Sequence, residues 1–391
     1  MPLRRCKVLY LESREGIAFD LPALLAGGDG VARRQNWIAL APHVGVEAVI
    51  DLDHARALAE LSPERWVEAE ALQERVRMAL PALLQMGLVV SDQPGYEDML
   101  TRDLAVRDAH WHPLAAVAQV FTRWDGVDSN EVMRNAGTRT ASQLRQVLGP
   151  PPPECIVPPH AGAPLPLPEV VPGPFDELLR RRATCRNFDQ ARLLPIEQLG
   201  QLLHRVFAAQ AQVRVTDDTV FLKKNSPSGG GLHPVEAYLI VRRVDGLSHG
   251  LYHYDPVGHA LRPLPAPDGP LDALALAAVA GQDWFAGAHV MVVLAPRYAR
   301  NFWKYRHHAK AHKAVVLEAG HLSQTLYLAA TDAGLAAYVT CAINETSLDH
   351  AFGLDPLNEG ALAVCGFGWR APVMETMELD PLGAAWSGRS F

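Results

Sequence analysis

Three short stretches of this 391-residue chain combine residue types and spacings suited to chemistry. In the first, Phe175 to Gln190, a short helix gives way to a basic loop, RRATCRNFD, in which Arg182, Thr184 and Arg186 alternate. Extended backbone points alternate side chains the same way, so the three form a comb. Two guanidinium forks and a hydroxyl on one side suit a phosphate dianion, because arginine donates in pairs to planar oxygens. A solvated helix end, with cations answering the macrodipole, would carry the same residues. In the second stretch, NSPSGGGLHP leads straight into the apolar run Val235 to Val241. Gly229, Gly230 and Gly231 remove every Cβ, so backbone can lie flat against a planar ligand. Ser226 and Ser228 add hydroxyls that can reach a phosphate or a ring carbonyl. The third is Lys304-Tyr305, an ammonium and a phenol just ahead of a long helical pattern.

Histidines crowd the same region. His308 and His312 are four apart and would share a helix face, with His307, Glu318 and His321 close in sequence. No H-E-x-x-H is present and no cysteine lies near, so packing and solvation are expected there and no metal.

The elements around these stretches follow from period and punctuation. Strands are expected at Val235–Val241, Gly250–Tyr254, His289–Ala295, Ala336–Ile343 and Ala361–Phe367. The longest helix should start near His307 and end before Gly334. In it Val315, Ala319, Leu322, Leu326, Ala329 and Ala333 form a four-three seam that suits either a dimer contact or an internal core helix. Nearer the start, Trp37 to Asp53 reads as a hairpin of short strands, followed by helices at Leu52–Leu61, Pro63–Glu70 and Leu72–Met86. Ser62-Pro63 is a helix start, Pro81 should kink or break the third helix, and Gly87 should stop it, with Leu88 leading out as an edge strand. Asp98 to Gln146 carries a helical pair around Trp111. Between Gly149 and Pro174 lie eleven of the thirty prolines, which excludes a helix or an inner strand and predicts a linker, or an arm over a partner. Cys155, within it, reads as a bystander.

Composition sets the outer bounds. The length allows two domains. A net charge of -7 argues against nucleic acid as a partner but not against a ligand held by local arginines. Five cysteines, odd in number and without C-x-x-C spacing, indicate neither a disulfide framework nor a structural zinc, and the cytoplasm is the expected compartment. The apolar run after Met1 is four residues long, too short for a signal sequence, and no stretch approaches membrane-spanning length.

The motifs RRATCRNFD, SPSGGGLHPVEAYL, GLYHYDP, KY and LEAGHLSQTLYLAATDAGL, in that order, resemble the SagB-type dehydrogenases of the FMN-dependent nitroreductase-like superfamily. The likeness runs from about Phe175 to Arg370 and is nearest to the peptide-maturation dehydrogenases. It implies an α+β fold, a mixed sheet flanked by helices, in an intimate homodimer with an FMN at each interface. It also implies the roles of individual residues. Arg182, Thr184 and Arg186 match the phosphate and ring-edge loop, with threonine for the commoner serine at 184. Pro227, Ser228, Gly229 and Gly231 match the loop that crosses the flavin, Ala342 falls where backbone N–H groups approach N5, and Arg370 falls near a second phosphate contact. Lys304 and Tyr305 match the Lys-Tyr pair near the flavin of azoline dehydrogenases, as base or polariser and its partner. Thr340-Cys341 departs from the usual small or acidic residues. The order of strands and helices before residue 95 resembles a PqqD-like peptide-recognition domain, and a generic winged-helix-like packing domain fits equally. The domains expected are 1–95 for peptide recognition, 96–149 as helical connector, 150–174 as linker or arm, and 175–391 for FMN binding.

The activity so implied is oxidation of azoline to thiazole or oxazole in a ribosomally made precursor peptide, with a cyclodehydratase as a partner enzyme. A flavin reductase of dehydroamino acids, nitro or quinone compounds would share these residues. A non-catalytic leader-peptide scaffold is the alternative from another class, and the arginines and glycines argue against it.

Overall fold

The computed structural model describes residues 1–386. The chain forms two compact units: Met1–Arg123 with Arg297–Ala314 and Asp355–Glu359, and Trp124–Pro296 with Val315–Leu354 and Gly360 onward.

The first unit is built on two small antiparallel sheets. One places Pro2–Arg5 between Val67–Glu68 and Val89–Ser91; the other places Val31–Leu40 between Tyr10–Phe19 and Ala48–Ile50. Helices Leu52–Glu60 and Glu74–Gln85 bury Leu58, Leu80 and Leu83 with Leu3 of the first sheet and Leu88 just ahead of its strand Val89–Ser91. The expected hairpin is present in Val31–Leu40 and Ala48–Ile50, but its longer partner, Tyr10–Phe19, was not anticipated. That strand is exposed along most of both faces, so it carries no apolar alternation to read. The helix expected over Pro63–Glu70 does not form. Ser62 Oγ instead accepts from Glu64 N and Arg65 N at 3.1 Å each, a local turn, and Val67 then pairs with Leu3. The third helix is not broken at Pro81; burial of Leu80, Leu83 and Leu84 around it offsets the missing N–H. Gly87 ends it at φ 70°, as a C′ glycine should. Two helices, Glu97–Asp108 and Pro113–Phe121, complete this part, and two more, Ser129–Asn135 and Ala141–Leu148, stand where the second half of a single pair was expected.

The second unit holds a six-stranded sheet in the order Ala260–Pro263, Gly250–Asp255, Val235–Val241, Val290–Pro296, Ala363–Gly368, Ala336–Thr340. All five expected strands are in it, and neighbours pair antiparallel. Val235–Val241 and Val290–Pro296 are central and largely buried, which is why the second reads as an unbroken apolar run and the first as one interrupted only by Glu236. The hairpin Ala211–Thr216/Thr219–Lys223, whose first strand is exposed on both faces, was not anticipated, although Ala211, Val213 and Val215 alternate with polar residues. Helix Ala311–Asp332 has 22 residues, and Val315, Ala319, Leu322, Leu326 and Ala329 of the seam are buried in the single chain, which favours the core-helix reading. Residues between Leu148 and Pro174 form neither helix nor strand, and almost all are exposed. No helix among the described residues is long and apolar enough to cross a membrane.

Two features of the sheet constrain substitution. A Cβ at Gly366 would stand 2.2 Å from Cε1 of Tyr338, which is fully buried and stacked on Phe285 at 4.1 Å. Gly366→Ala is expected to lower stability by about 1–3 kcal/mol in urea unfolding, as overpacking does; an unchanged midpoint would show that the ring has room to yield. His289 is fully buried; Nε2–H donates to Arg192 O at 2.7 Å while Nδ1 has no partner among the described residues. Burial therefore holds this imidazole below its ordinary pKa. The unfolded chain takes the proton first, so stability should fall as pH drops through about 6.5 and below. Thermal melts from pH 7.5 to 5.5 should show a shallower acid limb for His289→Asn than for the wild type. Parallel limbs would remove His289 from the account.

Candidate functional site

The loop after helix Pro174–Arg181 is held against the edge of the large sheet. Thr184 bridges in parallel to Ala337, and Cys185 N donates to Ala337 O at 2.9 Å. This pairing extends the backbone and realises the alternation: Ala183, Cys185 and Asn187 are buried, whereas Arg182, Thr184 and Arg186 are partly exposed. Arg182 lies over the Tyr327 ring, 5.3 Å from its centroid, and Arg186 lies 5.8 Å from that of Phe285. Among the described residues no carboxylate pairs with either guanidinium. The comb thus presents two uncompensated cations and a hydroxyl, the donor set a phosphate requires.

Arg370 is differently placed. Its Nη1 pairs with Glu378, whose carboxylate is fully buried. Glu378 Oε1 also accepts from Arg186 N at 2.6 Å, Asn187 N at 3.1 Å and Asn187 Nδ2 at 2.8 Å, and Oε2 from Trp386 Nε1 at 2.8 Å. The charge expected to serve as a second phosphate contact is therefore neutralised from within the chain. Asn187 Oδ1 accepts from Glu375 N and Thr376 N at 2.8 Å, which fastens the same C-terminal segment to the buried side of the comb.

The glycine loop docks on helix Ala311–Asp332. Ser226 Oγ is 2.9 Å from Thr325 Oγ1, Ser228 Oγ donates to Glu318, and His321 Nδ1 is 3.2 Å from Pro227 O. Val235 N donates to the other Glu318 oxygen at 3.4 Å. Burial pushes the Glu318 carboxyl above its ordinary pKa, partly offset by these donors. The serine hydroxyls, expected to reach a ligand, are spent in seating the loop. Gly229–Gly231 form one turn of 3₁₀ helix, with Gly230 and Gly231 at φ 66° and 69°, where a side chain would strain the backbone. Glycine is thus required here by conformation as well as by the absence of a Cβ.

At the far end of the edge strand, Ala342 N donates to Thr340 Oγ1 at 3.1 Å, and Gln282 Nε2 donates to Ala342 O at 2.9 Å. The expected strand stops at Thr340, where this side-chain turn takes the Ala342 amide. Cys341 is exposed; desolvation of its sulfur and the Glu345 carboxylate push the thiol above its ordinary pKa, so it is no ready thiolate.

Lys304 and Tyr305 follow helix Tyr298–Phe302 and belong to the first compact unit, whereas the comb and the loop belong to the second. Tyr298 and Phe302 pack on Trp111 with centroids 4.6 Å away, and Trp111 Nε1 donates to Leu357 O at 2.9 Å. Lys304 is exposed, with Nζ 5.5 Å from the half-buried Tyr305 ring. The helix begins only at Ala311, so His308 and His312 do not share a helix face. His308 Nδ1 accepts from Lys310 N, and His312 Nε2 is 3.3 Å from Gln119 Oε1.

Tyr327 and Glu378 were not singled out from sequence, and Glu318 was noted only beside the histidines, not as the seat of the glycine loop. Glu318 left a signal: it stands three residues after Val315 and four before Leu322, an acid on the apolar seam. Glu378 and Tyr327 left none, because their partners come from distant segments.

Residues 179–369 match the model of the nitroreductase family. A protein of Methanocaldococcus jannaschii named for the nitroreductases is 34% identical over 170 residues, covering 43% of this chain and 79% of that protein. The trifolitoxin-processing protein TfxB of Rhizobium leguminosarum bv. trifolii is 27% identical over 207 residues, covering 50% of this chain and 54% of the relative, about half its length. Among solved structures, a chain of the E. coli microcin synthetase McbBCD complex, with truncated pro-MccB17 bound, is 18% identical at a TM-score of 0.48, covering 76% of this chain and 98% of that one.

The Glu378 cluster makes a direct prediction. Glu378→Ala strands Arg370 without its counter-ion and leaves the Arg186 and Asn187 amides unsatisfied, so unfolding free energy should drop by about 3 kcal/mol or more. Glu378→Gln, which keeps one acceptor, should lose less. Equal losses for the two would show that charge plays no part in the cluster.

Proposed function

This chain belongs to the nitroreductase family, and from that premise we propose that it is an FMN-dependent dehydrogenase that matures a ribosomally made peptide, oxidising azoline rings to azoles. Family membership makes it an oxidoreductase. FMN, when bound, supplies a hydride acceptor, which no side chain can be. The observation that carries the reading is the comb of Arg182, Thr184 and Arg186, half-exposed, fixed to the sheet edge and, among the described residues, free of carboxylate partners.

The chain's own residues then divide the work. Arg182 and Arg186 hold the phosphate, and Thr184 adds a hydroxyl at the ring edge or phosphate. Pro227, Ser228, Gly229 and Gly231 would hold the ring by their backbone, and the turn around Ala342 would border it. Arg370 serves at one remove, by anchoring Glu378 behind the comb. Converting azoline to azole removes a hydride and a proton, and the proton needs a base. Lys304 Nζ takes that role, with Tyr305 as its partner.

The peptide substrate rests on the likeness to the trifolitoxin-processing protein. Two features of the first unit support it: Val67–Glu68 and Tyr10–Phe19 are edge strands, on which an extended leader segment can add by backbone hydrogen bonds. An azoline arises by loss of water from a cysteine, serine or threonine and its neighbouring amide. A cyclodehydratase is thus the enzyme class that supplies the substrate. Residues 1–95 would recognise leader, 96–149 connect, 150–174 act as linker or arm, and 175–391 bind FMN, in a cytoplasmic homodimer.

Purified protein should show flavin absorbance and release FMN on denaturation. Arg182→Ala and Arg186→Ala should each weaken FMN binding about tenfold or more, the value of a charge-assisted hydrogen bond. A colourless protein that takes up no added FMN would end the oxidoreductase reading. Lys304→Ala should keep its flavin and lose peptide oxidation; unchanged turnover would remove Lys304 from the chemistry while leaving the cofactor site intact.

A further inference from the structure

Tyr327 lies behind the comb, on helix Ala311–Asp332, 7% exposed. Its hydroxyl is 3.1 Å from Val339 N and 3.0 Å from Thr184 Oγ1. The direction of this chain of hydrogen bonds follows from what each atom can do. A backbone N–H only donates, so Val339 gives its proton to the Tyr327 oxygen. The phenol keeps its own proton, since burial pushes its pKa up. A buried O–H needs an acceptor, and among the described residues Thr184 Oγ1 is the one within reach. Thr184 therefore receives, and its own hydrogen is left for an acceptor on the partly exposed side, where Arg182 and Arg186 also lie.

We propose that Tyr327 is a positioning residue for the cofactor: by donating to Thr184 it turns the Thr184 hydroxyl into an outward donor. The relay runs from the Val339 amide through the phenol to the threonine, and each bond polarises the next. It also fixes the Thr184 rotamer, because the same ring packs beneath the Arg182 guanidinium, 5.3 Å from its centroid. Tyr327 and Thr184 are 143 residues apart, so the pairing exists only in the folded chain. The inference rests on the comb being the FMN site, and it adds a residue that does not itself touch the cofactor.

The test is a double-mutant cycle read as the FMN dissociation constant, by titrating flavin-free full-length protein with FMN and following quenching of flavin fluorescence. Tyr327→Phe keeps the ring and removes the relay; Thr184→Val keeps the shape and removes the outward donor. Each alone should raise the dissociation constant about tenfold, the worth of one good hydrogen bond. If Tyr327 acts through Thr184, Tyr327→Phe should add no more than about twofold in the Thr184→Val background. Thr184→Ser, which retains the hydroxyl, should bind nearly as the wild type and should restore full sensitivity to Tyr327→Phe. Multiplying factors, or a Tyr327→Phe protein that binds as the wild type, would overturn the relay. A wild type that binds no FMN would instead overturn the cofactor reading beneath it. Melting curves of every protein in the set separate lost binding from lost folding.

Discussion

The pairing of one short segment with a sheet edge organises the cofactor side of this protein. Thr184 bridges to Ala337 and Cys185 N donates to Ala337 O, and that contact lays the segment along the sheet edge. Extension is what sorts Arg182, Thr184 and Arg186 from Ala183, Cys185 and Asn187. Without it the arginines would have no common direction. The segment is held from behind at two points, by Tyr327 at Thr184 and by Glu378 at Arg186 and Asn187. A sheet edge, a helix and a C-terminal strap thus converge on one strand-like piece of chain.

The second organising element is helix Ala311–Asp332. Its apolar seam fills the interior, while Glu318, His321 and Thr325 receive the glycine loop and Tyr327 supports the comb. Both halves of the proposed cofactor site therefore refer to one rigid rod. Glu318 is placed where a leucine would ordinarily sit, and its burial cost is offset by the Ser228 hydroxyl and the Val235 amide. An acid there fixes where the loop sits more tightly than an apolar contact would, because hydrogen bonds have direction.

Much of this was legible in the sequence, for identifiable reasons. Val235–Val241 and its neighbours are buried on both faces and read as apolar runs. The comb has the period of extended chain, and period is what a sequence displays. The ribbon Tyr10–Phe19, exposed on most of both faces, has little burial to imprint a pattern, and the short alternation of Ala211–Thr216 stands on a strand exposed on both faces. The capture of Arg370 by Glu378 was equally invisible: a basic residue after a strand looks the same whether it faces a ligand or an internal carboxylate. Ser62-Pro63 misled because a capping serine can close a turn as readily as open a helix.

The proline-rich stretch between Leu148 and Pro174 has a consequence of its own. Its aliphatic side chains are turned to solvent, Leu165 and Leu167 at 87%. Apolar side chains so exposed would draw an ordinary flexible segment inward. Here the pyrrolidine rings fix many torsions and resist folding back, and the segment spans roughly 75 Å if fully extended. Stiffness of this kind lowers the entropy lost if the segment is ever laid against a surface, since most of its freedom is already gone. The aliphatic groups would then count almost at full value.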